Sequence, residues 1–251
     1  MAEYAAYANI LAHWRQLDVR TETDLDLQLE NFRVLFAYHS GKIENDEITW
    51  HDTREIFENG RAINFTGNPR ALFEQQNQRL CYAALRARFA AREPLSLGMI
   101  REIHAMLTAG TYDERRFLAL GERPGQFKRH DYVIGRAEVG AAPEDVEGEL
   151  AALLAELEAL PPEADTLRAG AYMHARFEWI HPFADGNGRV GRTLLNYFLM
   201  LRNHPPLIIY EDEKADYYAA LERYDAAEEL EPLVNFLQRQ TQRAWQRQSN
   251  K

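Results

Sequence analysis

Residues 181–192 read HPFADGNGRVGR, and they join two predicted helices at about 167–180 and 189–204. Two glycines of this stretch, Gly186 and Gly188, allow a backbone with positive φ and let its amides come close to a ligand. These amides directly precede a helix N-terminus, where unpaired N–H groups and the helix dipole favour an anion. The stretch therefore predicts an anion-binding loop between two helices.

The charged residues of the same stretch supply further parts of a phosphate site. Arg189 and Arg192 are three residues apart, so they lie on one face of the first helical turn, where guanidinium groups suit phosphate oxygens. Asp185 offers a hard oxygen ligand for Mg²⁺, and His181 can accept a proton near neutral pH. An anion cradle, a cationic clamp, a metal ligand and a base are the parts that phosphoryl-type transfer requires.

The stretch resembles the signature of the Fic family, H-x-F-x-(D/E)-G-N-G-R-x-x-R, and matches it at every fixed position. The resemblance extends over most of the chain, from roughly Phe32 to Leu237. It implies a Fic-type fold and a protein adenylyltransferase, which moves AMP from ATP onto a Ser, Thr or Tyr hydroxyl of a target protein. His181 would deprotonate this hydroxyl, which then attacks the α-phosphate and expels pyrophosphate.

The resemblance also assigns roles to the other residues of the loop. Asp185 would hold the Mg²⁺ that bridges the α- and β-phosphates, and Phe183 would anchor the loop in the core. Backbone amides would form the anion hole, the Asn187 side chain would also contact a phosphate, and two arginines would bind the β- and γ-phosphates. The nucleotide-binding residues of the loop would thus be Gly186, Asn187, Gly188, Arg189 and Arg192.

A second motif lies far upstream of the loop. Residues 40–45 read SGKIEN and match the family's inhibitory motif (S/T)-x-x-x-E-(G/N), so the chain resembles the subclass with an N-terminal inhibitory helix, class II. The inhibitory residues would be Ser40, Glu44 and Asn45. Glu44 would pair with Arg192 and remove the group that orients the γ-phosphate. Related proteins also use this glutamate to activate water and remove AMP from a target, which is a further hypothesis.

Helical periodicity extends through most of the chain. Ser96 is a predicted N-cap, and the run Pro143-Glu144-Asp145 starts a further helix that ends before two prolines at 161 and 162. Two more helices are expected between Glu213 and Gln248. The predicted fold class is all-α with one small β-hairpin flap. The single domain (1–251) would comprise an inhibitory helix at about 33–46, a catalytic core at about 95–205 and C-terminal helices at about 213–248.

One segment, residues 126–135, reads as extended chain and is predicted to form the hairpin. In Fic proteins a hairpin at this place clamps a target segment by main-chain pairing. The family pattern G-x-(Y/F)-R appears here as GQFK at residues 125–128, with lysine in place of arginine. The resemblance implies target-docking residues at Phe127, Lys128, Tyr132, Val133 and Ile134.

A downstream segment, residues 217–225, resembles the part of the family fold that lines the adenosine pocket. It implies nucleotide contacts from Tyr218 and Asp225, although the family often has asparagine at the second position. An ordinary amphipathic helix with core tyrosines explains the same stretch equally well. Both interpretations stay open at this point.

Composition sets outer limits on function. Lys and Arg number 29 against 39 Asp and Glu, and the net charge of −10 excludes a non-specific nucleic-acid binder. A single cysteine, Cys81, excludes an intrachain disulfide framework and fits a reducing compartment. The sequence has no apolar run of the ~20 residues that span a bilayer and no basic start of a signal peptide. We therefore expect a cytoplasmic protein that binds neither nucleic acid nor membrane.

Several other residues receive structural interpretations. His104 and His174 lie in apolar helical runs and are expected to be core histidines. The pair Arg115-Arg116 is expected to face solvent or to support the flap. His13, Trp14 and the tyrosines of the first helix form either a homodimer surface or contacts with the core.

Two alternatives to AMP transfer stay open. The donor could be UTP or another diphosphate-containing metabolite, because the loop reads only the phosphates. Alternatively, the fold could be a non-catalytic module that senses ATP and reports it to a partner. His181 disfavours the second alternative, since a sensor needs no base at the point of attack. The expected partners are ATP and an unidentified target protein.

Overall fold

Apolar residues at helical spacing form one core in the computed structural model, which describes residues 2–62, 65–134 and 137–246. The core runs from Tyr7 to Trp245. A π-helical turn, Arg115–Ala119, and a 3₁₀ turn, Glu211–Glu213, join longer elements. The α-helices of these ranges are α1 (Ala2–Leu17), α2 (Glu22–Glu44), α3 (Trp50–Asn59), α4 (Pro69–Ala90), α5 (Leu97–Leu107), α6 (Val146–Glu158), α7 (Thr166–Ile180), α8 (Asn187–Leu201), α9 (Lys214–Ala227) and α10 (Glu231–Trp245).

Helix α8 is the centre of the fold. Every residue from Arg189 to Leu199 is buried, because α2, α4, α5 and α7 surround this helix. A helix covered on all sides has one fixed position in a close-packed interior. The loop at residues 181–186 therefore leads into the N-terminus of a rigidly held helix.

The helix that carries the inhibitory motif is longer than the predicted range of about 33–46. It begins after Thr21, whose hydroxyl accepts a hydrogen bond from Asp24 N at 3.1 Å. The Asp24 carboxylate accepts one in return from Thr21 N at 2.8 Å. This capping box starts the helix a full three turns before residue 33. Glu44 is its last residue, and Asn45 is the C-cap.

Other helix boundaries agree with the sequence-based prediction. Ser96 caps α5 through a hydrogen bond from Met99 N at 3.1 Å, which confirms the predicted N-cap. Asp165 caps α7 in the same way, with Arg168 N donating at 3.0 Å. The predicted pair of C-terminal helices is present as α9 and α10.

The hairpin is present but smaller and later than predicted. Strand β1 (Tyr132–Ile134) pairs antiparallel with β2 (Ala137–Val139), with Tyr132 opposite Val139. Residues 126–131 precede the strands, because their hydrogen bonds go to other loops: Lys128 N donates to Pro182 O at 2.8 Å, and Arg129 N donates to Glu122 Oε1 at 3.0 Å. Gly135 and the side chains of Val133 and Ile134 lie outside the described residues.

The first helix packs against the last. Trp14 is 2% exposed, and its ring lies edge-on to that of Trp245 with 5.1 Å between centroids. Contacts with the core thus account for Trp14, while His13 is exposed. The described helices include none whose length and apolar character would suffice to cross a membrane.

Candidate functional site

The signature loop is fixed by its own asparagine. Asn187 Oδ1 accepts a hydrogen bond from Phe183 N at 2.9 Å, and Asn187 Nδ2 donates to Phe183 O at 2.8 Å. The side-chain amide thus closes the loop, and its expected contact with a phosphate stays a prediction. The backbone amide of Asn187 remains in the first turn of α8, where anions are favoured.

The buried side chain of His104 packs against the signature loop. The His104 ring lies parallel to that of Phe183 at 3.7 Å, and both side chains are fully buried. His104 Nδ1 accepts from Gly125 N at 2.8 Å, so its proton is on Nε2, which donates to Asp185 O at 3.0 Å. Burial lowers the pKa of His104 to about 4, and the ring is neutral at pH 7. His104 is a core histidine, as predicted, and it also ties Gly125 to the loop.

His181 occupies the point where α7 ends. Its backbone is left-handed, with φ of 49°, and its amide donates to Phe177 O at 3.0 Å. Burial and the nearby Lys128 ammonium lower the pKa of His181 to about 4, against the opposing influence of a hydrogen bond with the Glu178 backbone. The imidazole is therefore neutral at pH 7 and able to accept a proton.

This neutrality predicts an unusual pH dependence. A base works in its neutral form, so activity that depends on His181 should persist as the pH falls through 6.5 and disappear only near a pH of about 4. The measurement is kcat/KM for nucleotidyl transfer by a Glu44→Gly variant, with circular dichroism at each pH to exclude unfolding. An acid limb centred near pH 6.5 in folded protein would contradict the assignment.

Asp185 lies among three arginines from different parts of the chain. Its carboxylate accepts from Arg70 Nη2 at 2.8 Å and from Arg189 Nη2 at 3.4 Å, and Arg116 Nη1 is 3.8 Å away. Burial alone would raise the pKa of Asp185, but the three guanidinium groups hold it below the ordinary value. Asp185 is therefore ionised. Arg116 was expected to face solvent or support the flap, and Arg70 was not predicted as a site residue; both prove to line the site.

The donor set around Asp185 limits the kind of metal that fits. The described residues hold no cluster of three or more His, Cys, Asp or Glu side chains suited to an ion. A single ionised carboxylate, with 16% of the side chain exposed, fits Mg²⁺ that arrives with a nucleotide. Such an ion takes one or two carboxylates and completes its shell with phosphate oxygens and water.

The predicted pair of Glu44 and Arg192 is present in the structure. Arg192 is 2% exposed, and its Nη2 donates to Glu44 Oε1 at 2.8 Å and to Ser40 O at 2.9 Å. Its Nε donates to Ser40 Oγ at 3.0 Å. The guanidinium is therefore bound to the end of α2 by two of the three residues that the inhibitory motif specifies, Ser40 and Glu44.

Glu44 also lies directly against the loop. A Cβ atom placed on Gly188 would be 3.3 Å from Glu44 Cδ and 2.8 Å from Arg192 Nη1. A carboxylate thus already lies beside the first turn of α8, where the sequence predicts an anion.

A second glutamate near this pair was not predicted as a site residue. Burial raises the pKa of Glu178 to about 8, against the attraction of Arg192 and with a contribution from Glu44. Glu178 is therefore largely protonated at pH 7 and adds little negative charge to the phosphate site. In the sequence, only its position one turn before His181 indicates that Glu178 lies near the site. That position does not predict that the side chain is buried.

The two tyrosines of the predicted nucleoside segment face in different directions. Tyr217 is 1% exposed, and its hydroxyl bonds to His174 Nε2 at 2.7 Å, so both are core residues. Tyr218 is 38% exposed and lies 6.0 Å from Lys214 Nζ. Asp225 is also exposed. The core interpretation is correct for Tyr217, while Tyr218 and Asp225 are accessible to a ligand.

The residues that precede the hairpin, Phe127 and Lys128, pack against the signature loop and do not extend into solvent. Phe127 packs against Phe183 with 5.5 Å between ring centroids, and Lys128 is buried with its amide donating to Pro182 O at 2.8 Å. Neither residue lies in the two strands, and their role in target docking stays a prediction. Tyr132, at the start of β1, donates from its hydroxyl to Glu122 Oε1 at 2.9 Å.

Gly186 offers a direct test of the loop geometry. Its φ is 82°, and a Cβ atom there would be 2.6 Å from Thr108 Cγ2. Gly186→Ala should destabilise the fold by ~1–3 kcal/mol through backbone strain, and the displaced amides should weaken ATP binding by about tenfold, or ~1.4 kcal/mol. Calorimetric titration of Glu44→Gly/Gly186→Ala with ATP measures this effect.

The matched control for this variant is Gly148→Ala. Gly148 lies in α6 and has nothing within 4 Å of its added Cβ atom. This substitution should stabilise the protein by ~0.5–1 kcal/mol and leave ATP binding unchanged. Equal ATP affinity of the two alanine variants would contradict a role of the loop amides.

Residues 94–199 match the sequence model of the Fic/DOC family. The protein adenylyltransferase fic-1 of Caenorhabditis briggsae is 28% identical over 231 residues, which cover 90% of this chain and 43% of that protein. The protein adenylyltransferase Fic of Nematostella vectensis is 30% identical over 213 residues, which cover 82% of this chain and 46% of that protein. The chain thus spans less than half the length of these curated relatives.

Solved structures share the fold over nearly the whole chain. A Fic domain containing signaling protein from Bacteroides thetaiotaomicron superposes with a TM-score of 0.80 at 22% identity, covering 96% of this chain and 94% of that chain. A Fic-1 fragment from Caenorhabditis elegans superposes with a TM-score of 0.78 at 23% identity, covering 98% and 73%. The helical architecture with its central α7–α8 pair is therefore that of Fic proteins.

Proposed function

Because residues 94–199 belong to the Fic/DOC family, we propose that the chain transfers AMP from ATP to a Ser, Thr or Tyr hydroxyl of a protein, and that Glu44 inhibits this reaction. The curated relatives named above are protein adenylyltransferases, which supports the proposal. The observation that carries it is the placement of His181 at the C-terminal end of α7 and of the buried Arg192 in α8, at the two ends of the loop and first helical turn of residues 181–192.

In the proposed reaction His181 acts as the general base. It takes the proton of the target hydroxyl, and the hydroxyl oxygen forms a bond to the α-phosphorus of ATP. The bond from this phosphorus to the bridging oxygen of the β-phosphate breaks, and pyrophosphate leaves with the electron pair. Backbone amides at residues 186–188 stabilise the negative charge, so catalysis is mostly positioning and electrostatics.

Arginine side chains and Mg²⁺ would bind different parts of the triphosphate. Arg189 and Arg192 bind the β- and γ-phosphates in this proposal, and Arg192 becomes available for them when Glu44 withdraws. Mg²⁺, bound through Asp185 and the phosphates, would neutralise charge on the leaving pyrophosphate. Asp185 is ionised in the absence of the ion because Arg70 and the other guanidinium groups stabilise its charge.

The identity of the donor rests on weaker contacts than the phosphate site. We propose that the base of ATP lies near Tyr218 and Asp225, which are the accessible residues of the segment 217–225. The exposed face of Tyr218 suits stacking with a nucleobase.

Labelling with competing donors tests this assignment. The Glu44→Gly variant is incubated with Mg²⁺ and with ATP, UTP or GTP, each labelled at the α-phosphate, and self-labelling is measured on a gel. The proposal expects label from ATP well above that from the other two. Stronger label from UTP would move the donor to UTP, and binding of ATP without label from any donor would favour a sensing module.

A further inference from the structure

A buried glutamate on α4 contacts both the phosphate site and the inhibitory helix. Glu74 is 2% exposed. Its Oε1 accepts from Arg70 Nε at 2.9 Å and lies 3.1 Å from Arg189 Nη1. Its Oε2 accepts from Asn45 Nδ2 at 2.9 Å. Each oxygen thus faces a different part of the site: Oε1 faces two arginines and Oε2 faces the end of α2.

The contacts of Arg189 show what Glu74 holds in place. Arg189 is 1% exposed, with Nη1 at 3.1 Å from Glu74 and Nη2 at 3.4 Å from Asp185. A buried guanidinium is strongly destabilised when its carboxylate partners are removed, because burial has already taken it out of water. Glu74 therefore holds one side of the buried Arg189 guanidinium, and Asp185 holds the other.

Arg70 depends on the same carboxylate. Its Nε bonds to Glu74, and its Nη2 bonds to Asp185 at 2.8 Å. A guanidinium that bridges two carboxylates has its plane fixed by both of them. Glu74 thus holds Arg70 independently of the contact that Arg70 makes with Asp185.

Asn45 connects this cluster to the inhibitory helix. Asn45 caps the C-terminus of α2 and directly follows Glu44. Its Oδ1 accepts from Glu47 N at 3.0 Å, and its Nδ2 donates to Glu74. The end of α2 is therefore attached to the site at two places, through Glu44 to Arg192 and through Asn45 to Glu74.

We propose that Glu74 is a positioning residue of the nucleotide site, which orients Arg189 and Arg70 beside Asp185 and attaches the inhibitory helix to them through Asn45. This inference rests on the proposed function, because it takes Arg189 as a phosphate-binding group. Glu74 itself touches no substrate. It acts through the two arginines and through the position of α2.

The first test is Glu74→Gln in the Glu44→Gly background, with Glu58→Gln as the matched control. Glu58 is an exposed glutamate that pairs with Arg54. Loss of a negative charge near bound ATP would by itself tighten binding, so weaker binding by the folded variant indicates lost orientation of the arginines. We expect the Kd for ATP, measured by calorimetry with and without Mg²⁺, to rise about tenfold, with KM rising in parallel and kcat changing less.

Three outcomes separate the interpretations of this test. A lower melting temperature with an unchanged Kd would show a merely structural role and overturn the proposal. A lower Kd would show that Glu74 competes with phosphate for Arg189, which also overturns it. Failure of Glu44→Gly itself to transfer AMP would count against the proposed function, whereas the effect of Glu74→Gln on ATP binding would still decide the role of Glu74.

The second test addresses the link to the inhibitory helix without touching the arginines. Asn45→Asp keeps the acceptor for Glu47 N but places a carboxylate oxygen against Glu74. With Glu44 intact, we expect self-labelling by α-labelled ATP to rise severalfold above wild type, since like charges repel the end of α2. Asn59→Asp, the same change at the exposed end of α3, is the control. Labelling by Asn45→Asp equal to that control would remove Asn45 from the proposal.

Discussion

Glycine in place of Glu44 is expected to raise self-labelling with AMP by about tenfold or more. In the structure Glu44 holds Arg192 at 2.8 Å and lies against Gly188. Removing its carboxylate clears the region beside the loop amides and takes away the only carboxylate that Arg192 bonds to among the described residues, leaving its two hydrogen bonds to Ser40. A preference of ~1.4 kcal/mol for the inhibited arrangement already accounts for a tenfold difference in the competent fraction. The measurement is the initial rate of label incorporation from α-labelled ATP at equal protein concentration.

Two control variants make this expectation specific. Glu47→Gly introduces the same residue at an exposed position just after the helix and should leave the rate at the wild-type level. Glu44→Gln keeps the size of the side chain but removes its charge, so we expect an intermediate rate. Wild-type labelling by folded Glu44→Gly would contradict inhibition by this glutamate.

Loss of the imidazole should have the largest effect in the opposite direction. His181→Ala, made in the Glu44→Gly background, is expected to lower the rate of AMP transfer by ~10²–10⁴-fold, the usual contribution of a general base. ATP affinity should change little, because the phosphates are bound by amides and arginines and not by His181. The rate is measured by label incorporation and the affinity by calorimetry.

An exposed histidine provides the control for this second variant. His51 lies on α3 with 76% of its side chain exposed. His51→Ala in the same background should match Glu44→Gly in both rate and affinity. Comparable rates for the His181 and His51 variants would remove His181 as the base, and a parallel loss of ATP binding would reassign it to nucleotide binding.

The sequence predicts the loop well because its chemistry is local. Gly186 and the first turn of α8 lie within a few residues of each other, so spacing alone indicates their geometry. The pair of Glu44 and Arg192 is distant in sequence, and it follows only from the resemblance of two motifs to one family. Neither motif by itself predicts that Glu44 and Arg192 are in contact.

The residues that surround Asp185 could not be predicted from the sequence. Arg70 is 115 positions away from Asp185, and nothing in its own segment distinguishes it from a solvated helix residue. Glu74 reads as the i+4 partner of Arg70, which is the usual pattern of an exposed helix. Only the packing of α4 against α2 and α8 buries Glu74 and turns it towards Arg189.

The hairpin illustrates a different limit. Residues 126–135 have an extended pattern, but strand pairing begins only at Tyr132. Phe127 does not take part in strand pairing, because its ring packs against that of Phe183. Burial of an aromatic side chain thus outweighs local strand preference, and this competition is invisible without the tertiary structure.

Intact-mass spectrometry of the chain after incubation with Mg²⁺ and ATP tests the central claim most directly. Wild type, Glu44→Gly and Glu44→Gly/His181→Ala are compared at equal concentration. We expect a mass increase of one or more AMP moieties in Glu44→Gly, little increase in wild type and none in the double variant. An increase by phosphate in place of AMP, or no increase in folded Glu44→Gly that binds ATP, would contradict it.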